Sequence, residues 1–201
     1  MKIQLLSVSL MIILASSLAQ ADDAVTNAKA AELALHRLER LVILKKVEAS
    51  FQSKLQDIAV APLTHPTPDD PSFKVTLGQF PGADGTQKKL EIILNESGRA
   101  LSFNPIAGTE ATNAPAWTTT DATSLSEDSL HFILDNVAQK QDLLPFFNSM
   151  TSAMLMQAKD AAGADVALLM IEAGPKDPML HVMVKLDGTF DSYQIMPNSN
   201  E

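Results

Sequence analysis

Leu180-His-Val-Met-Val-Lys-Leu-Asp-Gly-Thr-Phe-Asp-Ser-Tyr-Gln-Ile195 alternates apolar and other side chains up to an Asp-Gly pair. Period two is the mark of a half-buried strand: Leu180, Val182, Val184 and Leu186 share one face, and His181, Met183 and Lys185 the other. Asp187-Gly188 offers the two positive-φ positions of a type I′ turn, so the stretch predicts a β-hairpin. Ninety residues earlier, Leu90-Glu-Ile-Ile-Leu-Asn-Glu-Ser-Gly98-Arg-Ala-Leu-Ser-Phe103 repeats it in worn form. Leu90 aligns with Leu180, Ile92 with Val182, Leu94 with Val184, Gly98 with Gly188 and Phe103 with Tyr193.

Outward from these two hairpins the chain divides in a parallel way. Phe73–Leu77 alternates as a strand and turns around Pro81–Gly85 into the strand at 89–94, and Asn95–Gly98 turns again into 99–103. This makes a three-stranded meander. Val166–Ile171 is a short continuous apolar run, read as a strand that completes a second meander with the closing hairpin. Before the first meander, residues 24–58 carry Leu35, Leu38, Leu41, Leu44, Val47, Phe51, Leu55 and Ile58 at helical spacing, uninterrupted by Gly or Pro, and predict one long helix. The proline-rich segment Ala61–Pro71 ends it as a connector. Before the second meander, Ser124 and Glu127 have the form of a capping box opening a helix to about Gln141. A second helix is expected from Asp142 through Pro145, Phe146, Met150, Met154 and Ala158 to a stop at Gly163.

The start of the chain sets the compartment. Met1 to Ala21 has one basic residue, an apolar core from Leu5 to Leu14, and Ala19-Gln20-Ala21 before Asp22-Asp23, the pattern of a cleaved secretory signal peptide. Export without a single cysteine points to a bacterial periplasm and removes thiol catalysis and thiolate metal sites. Residues 22–105 hold 10 basic and 11 acidic side chains, whereas 106–201 hold 4 and 13, so the negative charge belongs to the second half. Such a chain is a poor partner for nucleic acid or anionic membrane surfaces, and no integral membrane segment is expected after cleavage.

The organisation expected is therefore α+β: a first unit at 22–105, a linker at 106–123 and a second unit at 124–201, each with helix and three-stranded antiparallel meander. Two such sheets can join edge to edge into one, burying an exposed strand edge. The run Phe73-Lys-Val, a Gly-containing turn and Leu90 to Leu101 resembles the strand-turn-strand core of the PepSY domain, and Leu180–Phe190 is similar. The tandem of helix-plus-meander units also resembles the architecture of β-lactamase inhibitory protein. The resemblance implies an exported, non-catalytic binding or inhibitory module and carries over no individual site residue.

Chemistry-bearing motifs are scarce. The sequence lacks a Gly-x-Ser-x-Gly elbow, a His-Glu-x-x-His pair and a phosphate-binding glycine loop, and His36, His65, His131 and His181 lie scattered. His65 with Asp69 and Asp70 on a proline loop has no fixed metal geometry, and no metal, cofactor or catalytic residue is assigned. The leading expectation is recognition of a protein or peptide partner through the sheet surface. Ile93, His181 and Met183 stand on the face turned away from the helices, Phe103 and Tyr193 are placed near them on the return strands, and Trp117 is a candidate anchor on the linker. The alternative is a carrier for an apolar ligand or lipid, using a space between helix and sheet lined by the methionines of the second half. A hydrolase with an unassigned site stands third.

Overall fold

In a computed structural model of the chain, the described residues are 25–64, 67–82, 84–110 and 121–197, with side chains described to 106 in the first half. Met1–Ala21, the stretch with the pattern of a signal peptide, and His65 and Trp117 lie outside them. The elements in order are α1 (Asn27–Ile43), α2 (Ser50–Ser53), β1 (Leu55–Pro62), β2 (Pro71–Gln79), β3 (Thr86–Asn95) and β4 (Ala100–Glu110). They are followed by α3 (Ala122–Asn136), the 3-10 turn Gln141–Leu143, α4 (Leu144–Ser149), β5 (Ser152–Lys159), β6 (Asp165–Glu172), β7 (Met179–Lys185) and β8 (Phe190–Met196). All eight strands form one antiparallel sheet in the order β4-β3-β2-β1-β5-β6-β7-β8. The fold is α+β, and the two meanders share a single sheet. Strand β4 and helix α3 reach into the two ends of the expected linker, to Glu110 and from Ala122.

Each meander has four strands rather than three, and the two additional strands, β1 and β5, are the ones that join the halves. Three residue pairs make the join: Asp57 with Met154, Ile58 with Ala153 and Ala59 with Ser152. The N–H of Val60 extends it by donating to the Thr151 carbonyl at 2.8 Å. The sequence pattern places both segments in helices, and local chemistry explains the difference. The first helix stops at Ile43 because Lys45 turns to φ 54. The N–H of Lys46 donates to Leu41 O at 2.8 Å and that of Lys45 to Val42 O at 2.9 Å, a Schellman closure with lysine where glycine is usual. Leu55 and Ile58, spaced like helical neighbours, face the core together because a bulge between Leu55 and Asp57 shifts the strand's register. In the second half α4 ends at Met150, whose ψ of 123 begins the extended chain, and Gly163 closes the β5–β6 turn instead of a helix.

The cap of α3 is Asp121, whose carboxylate accepts from the N–H of Ser124 at 3.1 Å. Ser124 therefore sits inside the first turn, and Glu127 is free to point at a neighbour. The closing hairpin forms as expected with a different turn. The N–H of Gly188 donates to Lys185 O at 2.9 Å and that of Lys185 to Thr189 O at 2.8 Å, and of the Asp-Gly pair Gly188 alone has positive φ, at 86°. This is a three-residue loop with a left-handed glycine, and Asn95–Gly98 repeats it.

The helices lie on one face. Leu77, Leu90, Ile92 and Leu94 from the first meander and Leu155, Leu169, Leu180, Val182 and Val184 from the second are buried there, in one cluster with Leu35, Leu38, Leu130, Ile133 and Phe146. Leu186, expected on this face, lies in the turn and is 53% exposed. Helix α1 binds the halves as well: Asn27 Nδ2 donates to the buried Met150 carbonyl at 2.8 Å. Among the described residues no helix is long and apolar enough to cross a membrane.

Candidate functional site: the open face of the sheet

With the aliphatic positions committed to the helices, alternation sends the intervening residues to the opposite face, and the strand register arranges them in rows. Met154, Met170, His181 and Gln194 form one row across β5 to β8. Met156, Leu168, Met183 and Ser192 form the next, and Ser152, Glu172, Met179 and Met196 a third. All six methionines, Leu168 and His181 are half-buried. Only Met150 of the methionines at 150–196 belongs to the helix-covered core. The sulfur-containing side chains thus line the outer surface of the sheet, not a space between helix and sheet.

The first half of the same face is polar. Its rows run Ala61, Lys74, Ile93, Ser102 and Ala59, Thr76, Glu91, Asn104, with Lys74 Nζ 4.0 Å from the Glu91 carboxylate. Asp57 marks the border, opposite Met154 on one side and Gly78 on the other. The missing side chain at Gly78 leaves room for Gln87 to reach across β2 and donate its amide to Asp57. Burial pushes the Asp57 carboxyl above its ordinary range, against the lowering effects of Gln87 and Lys89. Around the methionine half, Asp160, Asp165, Glu172, Asp177 and Asp187 stand at strand ends and turns.

Of the residues singled out from sequence, His181 and Met183 lie together within the methionine rows. Burial depresses the His181 pKa from its ordinary value. Ile93 shares their face but sits on β3, five strand spacings from β7, about 24 Å away. Phe103 and Tyr193 are on the other side: they pair with the core-facing Ile92 and Val182 and pack against the core. The bulges between Ile93 and Leu94 and between Met183 and Val184 do not change that assignment. Tyr193 instead completes an aromatic group with Phe132, whose ring stacks on Phe190 at 4.4 Å, and Lys140 Nζ lies 5.0 Å above the Tyr193 ring. Trp117 lies outside the described residues. The rows were legible in principle, since Met154 and Met156, Leu168 and Met170, and Met179 and Met183 each recur at even spacing within one strand; reading β5 as helix concealed them.

A second cluster lies where α1 meets α3. Glu32 and His36 are one turn apart on α1, and Glu127 and His131 stand in the same relation on α3. They cross: His131 Nε2 is 2.8 Å from Glu32 Oε1, and His36 Nδ1 is 3.4 Å from Glu127 Oε1. His36 Nε2 lies 4.0 Å from Glu32 Oε1. The Glu32 side chain is 5% exposed, and its other oxygen is ion-paired with Lys29. Burial, followed by repulsion from Glu39, Asp121, Asp128 and Glu32, pushes the Glu127 pKa up to about 8. The histidines scattered in sequence are thus partly gathered in space, a juxtaposition announced only by the spacing Glu-x-x-x-His in both helices.

No family model, no curated protein and no solved structure matches this chain.

Proposed function

We propose that the protein is an exported, non-catalytic binding module that recognises a polypeptide segment through the open face of β5–β8. The observation that carries this reading is the placement of six half-buried methionines, with Leu168, on the sheet face that no described helix covers. Methionine side chains are unbranched and polarisable, so they adapt to varied apolar partners at little cost in strain. The acidic residues at the strand ends select the partner's flanks, favouring a segment whose apolar side chains are bordered by Lys or Arg. Such a reading agrees with the class implied by the PepSY-like and inhibitory-protein-like resemblance, and export follows from the signal-peptide pattern at Met1–Ala21.

A displayed peptide library tests the proposal. The unmodified protein is expected to enrich segments with alternating apolar residues and basic flanks. M170S/M183S should bind the enriched peptides at least about tenfold more weakly, since each buried apolar side chain contributes on the order of 1.5 kcal/mol or more. Its thermal midpoint should change little, whereas Leu155→Ala, on the helix-covered face of the same strand as Met156, should cost about 2–5 kcal/mol of stability. Ile93→Ser, in the polar half, should leave capture unchanged. Enrichment of no peptide, together with uptake of lipid from neutral vesicles, would transfer the face to the carrier reading; full binding by M170S/M183S would remove the face from recognition altogether.

A further inference from the structure

Two glutamates and two histidines from separate helices, approaching one another at 2.8 to 4.0 Å, form a set of ligand atoms suited to more than an ion pair. We propose that Glu32, His36 and His131 bind one divalent transition-metal ion of the zinc class, with Glu127 orienting His36 from behind. This site is on the helical side of the sheet and is independent of the open methionine face.

The geometry supports each part of that assignment. Ligand atoms of Glu32, His36 and His131 all lie within 4.8 Å of one another. Around a tetrahedral zinc ion with bonds of about 2.0–2.1 Å, neighbouring ligand atoms are about 3.4 Å apart. The present separations from Glu32 Oε1, 2.8 Å to His131 Nε2 and 4.0 Å to His36 Nε2, lie on either side of that value. Small rotations of the two imidazoles would close the set, and both rings border solvent, with side chains 47% and 45% exposed. The same exposure gives an ion a path in and leaves a fourth position for water.

His36 stands between the two glutamates. Its Nε2 faces Glu32 while its Nδ1 faces Glu127 at 3.4 Å. The Glu127 carboxyl behind the second nitrogen is placed to accept from Nδ1–H once Nε2 ligates a metal. Glu32 Oε2 is taken by the Lys29 ammonium, which leaves Oε1 for the imidazoles, whereas Glu127 Oε1 is buried and accepts no hydrogen bond among the described residues. Glu32, with a side-chain exposure of only 5%, is the carboxylate aimed at both imidazoles. Ion binding would replace the direct contact between His131 Nε2 and Glu32 Oε1, with the neutral imidazole carrying its one proton on Nδ1, so that Nε2 and Oε1 become ligands together. Two imidazoles in the set favour zinc, iron(II) or cobalt over calcium or magnesium, which take oxygen ligands. Glu39 forms an overlapping group with His36 and Glu127. Because His36 is common to both groups, one ion per chain is expected.

Zinc itself is the probe, applied to the untagged protein near pH 7.5 in competition with a fluorescent zinc indicator. The expected result is one saturable ion per chain. H36Q and H131Q should each weaken binding by at least about tenfold, and E127Q by about 10- to 100-fold, the usual cost of losing a carboxylate behind a ligating histidine. His181→Gln, on the opposite face of the sheet, should bind as the unmodified chain does. Imidazole NMR of the unmodified protein gives a readout that needs no variant to fold: zinc should shift the His36 and His131 ring resonances and leave His181 in place. Absence of saturable uptake, equal affinity in H36Q/H131Q, or zinc shifts confined to other histidines would each overturn the assignment.

Discussion

Lys45 has the one positive φ among the described non-glycine residues, at 54°, and closes α1 from an exposed position. A left-handed conformation costs an L-residue about 1–2 kcal/mol, part of which glycine returns through its greater freedom in the unfolded chain. Lys45→Gly is therefore expected to raise stability by roughly 0.5–1 kcal/mol in a urea titration; a loss would mean that the lysine stem contributes more than its strain. The same residue explains why the end of α1 was illegible: helix termination is usually announced by glycine, and here the backbone accepts strain without that signal. At His181 the informative property is depressed basicity caused by burial. The folded chain binds fewer protons than the unfolded one between the lowered pKa and the ordinary value near 6.5, so stability is lost as pH falls through that window. Its register neighbours Met170 and Gln194 carry no charge that would hold the imidazolium. If the open face binds an apolar segment, affinity should fall as pH drops through the lowered pKa of His181 in the folded chain, and His181→Gln should flatten that dependence.

The hairpins show how one local device performs different amounts of structural work. Gly188 and Gly163 both have positive φ, but a Cβ on Gly188 would meet Asp128 Oδ2 at 2.4 Å, whereas one on Gly163 would meet nothing within 4 Å. Gly163→Ala should cost only the backbone penalty of about 1 kcal/mol. Gly188→Ala should cost more, because the Asp128 carboxylate on α3 must also move aside; equal losses in thermal denaturation would show that this side chain yields freely. A Cβ on Gly98 would likewise meet Leu33 of α1, at 2.3 Å. The hairpin elements were the most legible part of the chain because period-two alternation and turn glycine agree. The strands β1 and β5 were not, since Leu55 with Ile58 and Met150 with Met154 satisfy helical spacing, and only tertiary pairing between the halves decides against it. The candidate face was legible in its members His181 and Met183, but its extent depended on β5 being a strand.

At the scale of the molecule, a short β1–β5 seam is reinforced by helices that ignore the division of the sheet. Leucines of α1 and α3 enter the same buried cluster as strand residues of both meanders. Thr123 Oγ1 at the start of α3 donates to Gln52 O in α2 at 3.2 Å, a further tie between the halves. The intact chain should consequently unfold in one calorimetric transition whose van't Hoff and calorimetric enthalpies agree. Two resolved transitions would establish that the meanders are energetically separate despite their common sheet. The alignment of the two hairpins made this joined sheet an intelligible expectation, whereas the interlocking of the helices depended on side chains nearly one hundred positions apart and left no periodic trace.

The absence of cysteine gives the methionine rows a chemical consequence. Thioethers are the chain's only sulfur groups, and six of them are half-buried on one face while Met150 is fully enclosed. Mild peroxide should form sulfoxides first at Met154, Met156, Met170, Met179, Met183 and Met196 and last at Met150, as peptide mass mapping would show. Each added oxygen makes a soft apolar side chain polar, so an oxidant would remove the apolar character of the face while leaving the helix-covered core intact; preferential oxidation of Met150 would contradict that order. The surface would then register the redox history of its surroundings without any thiol taking part.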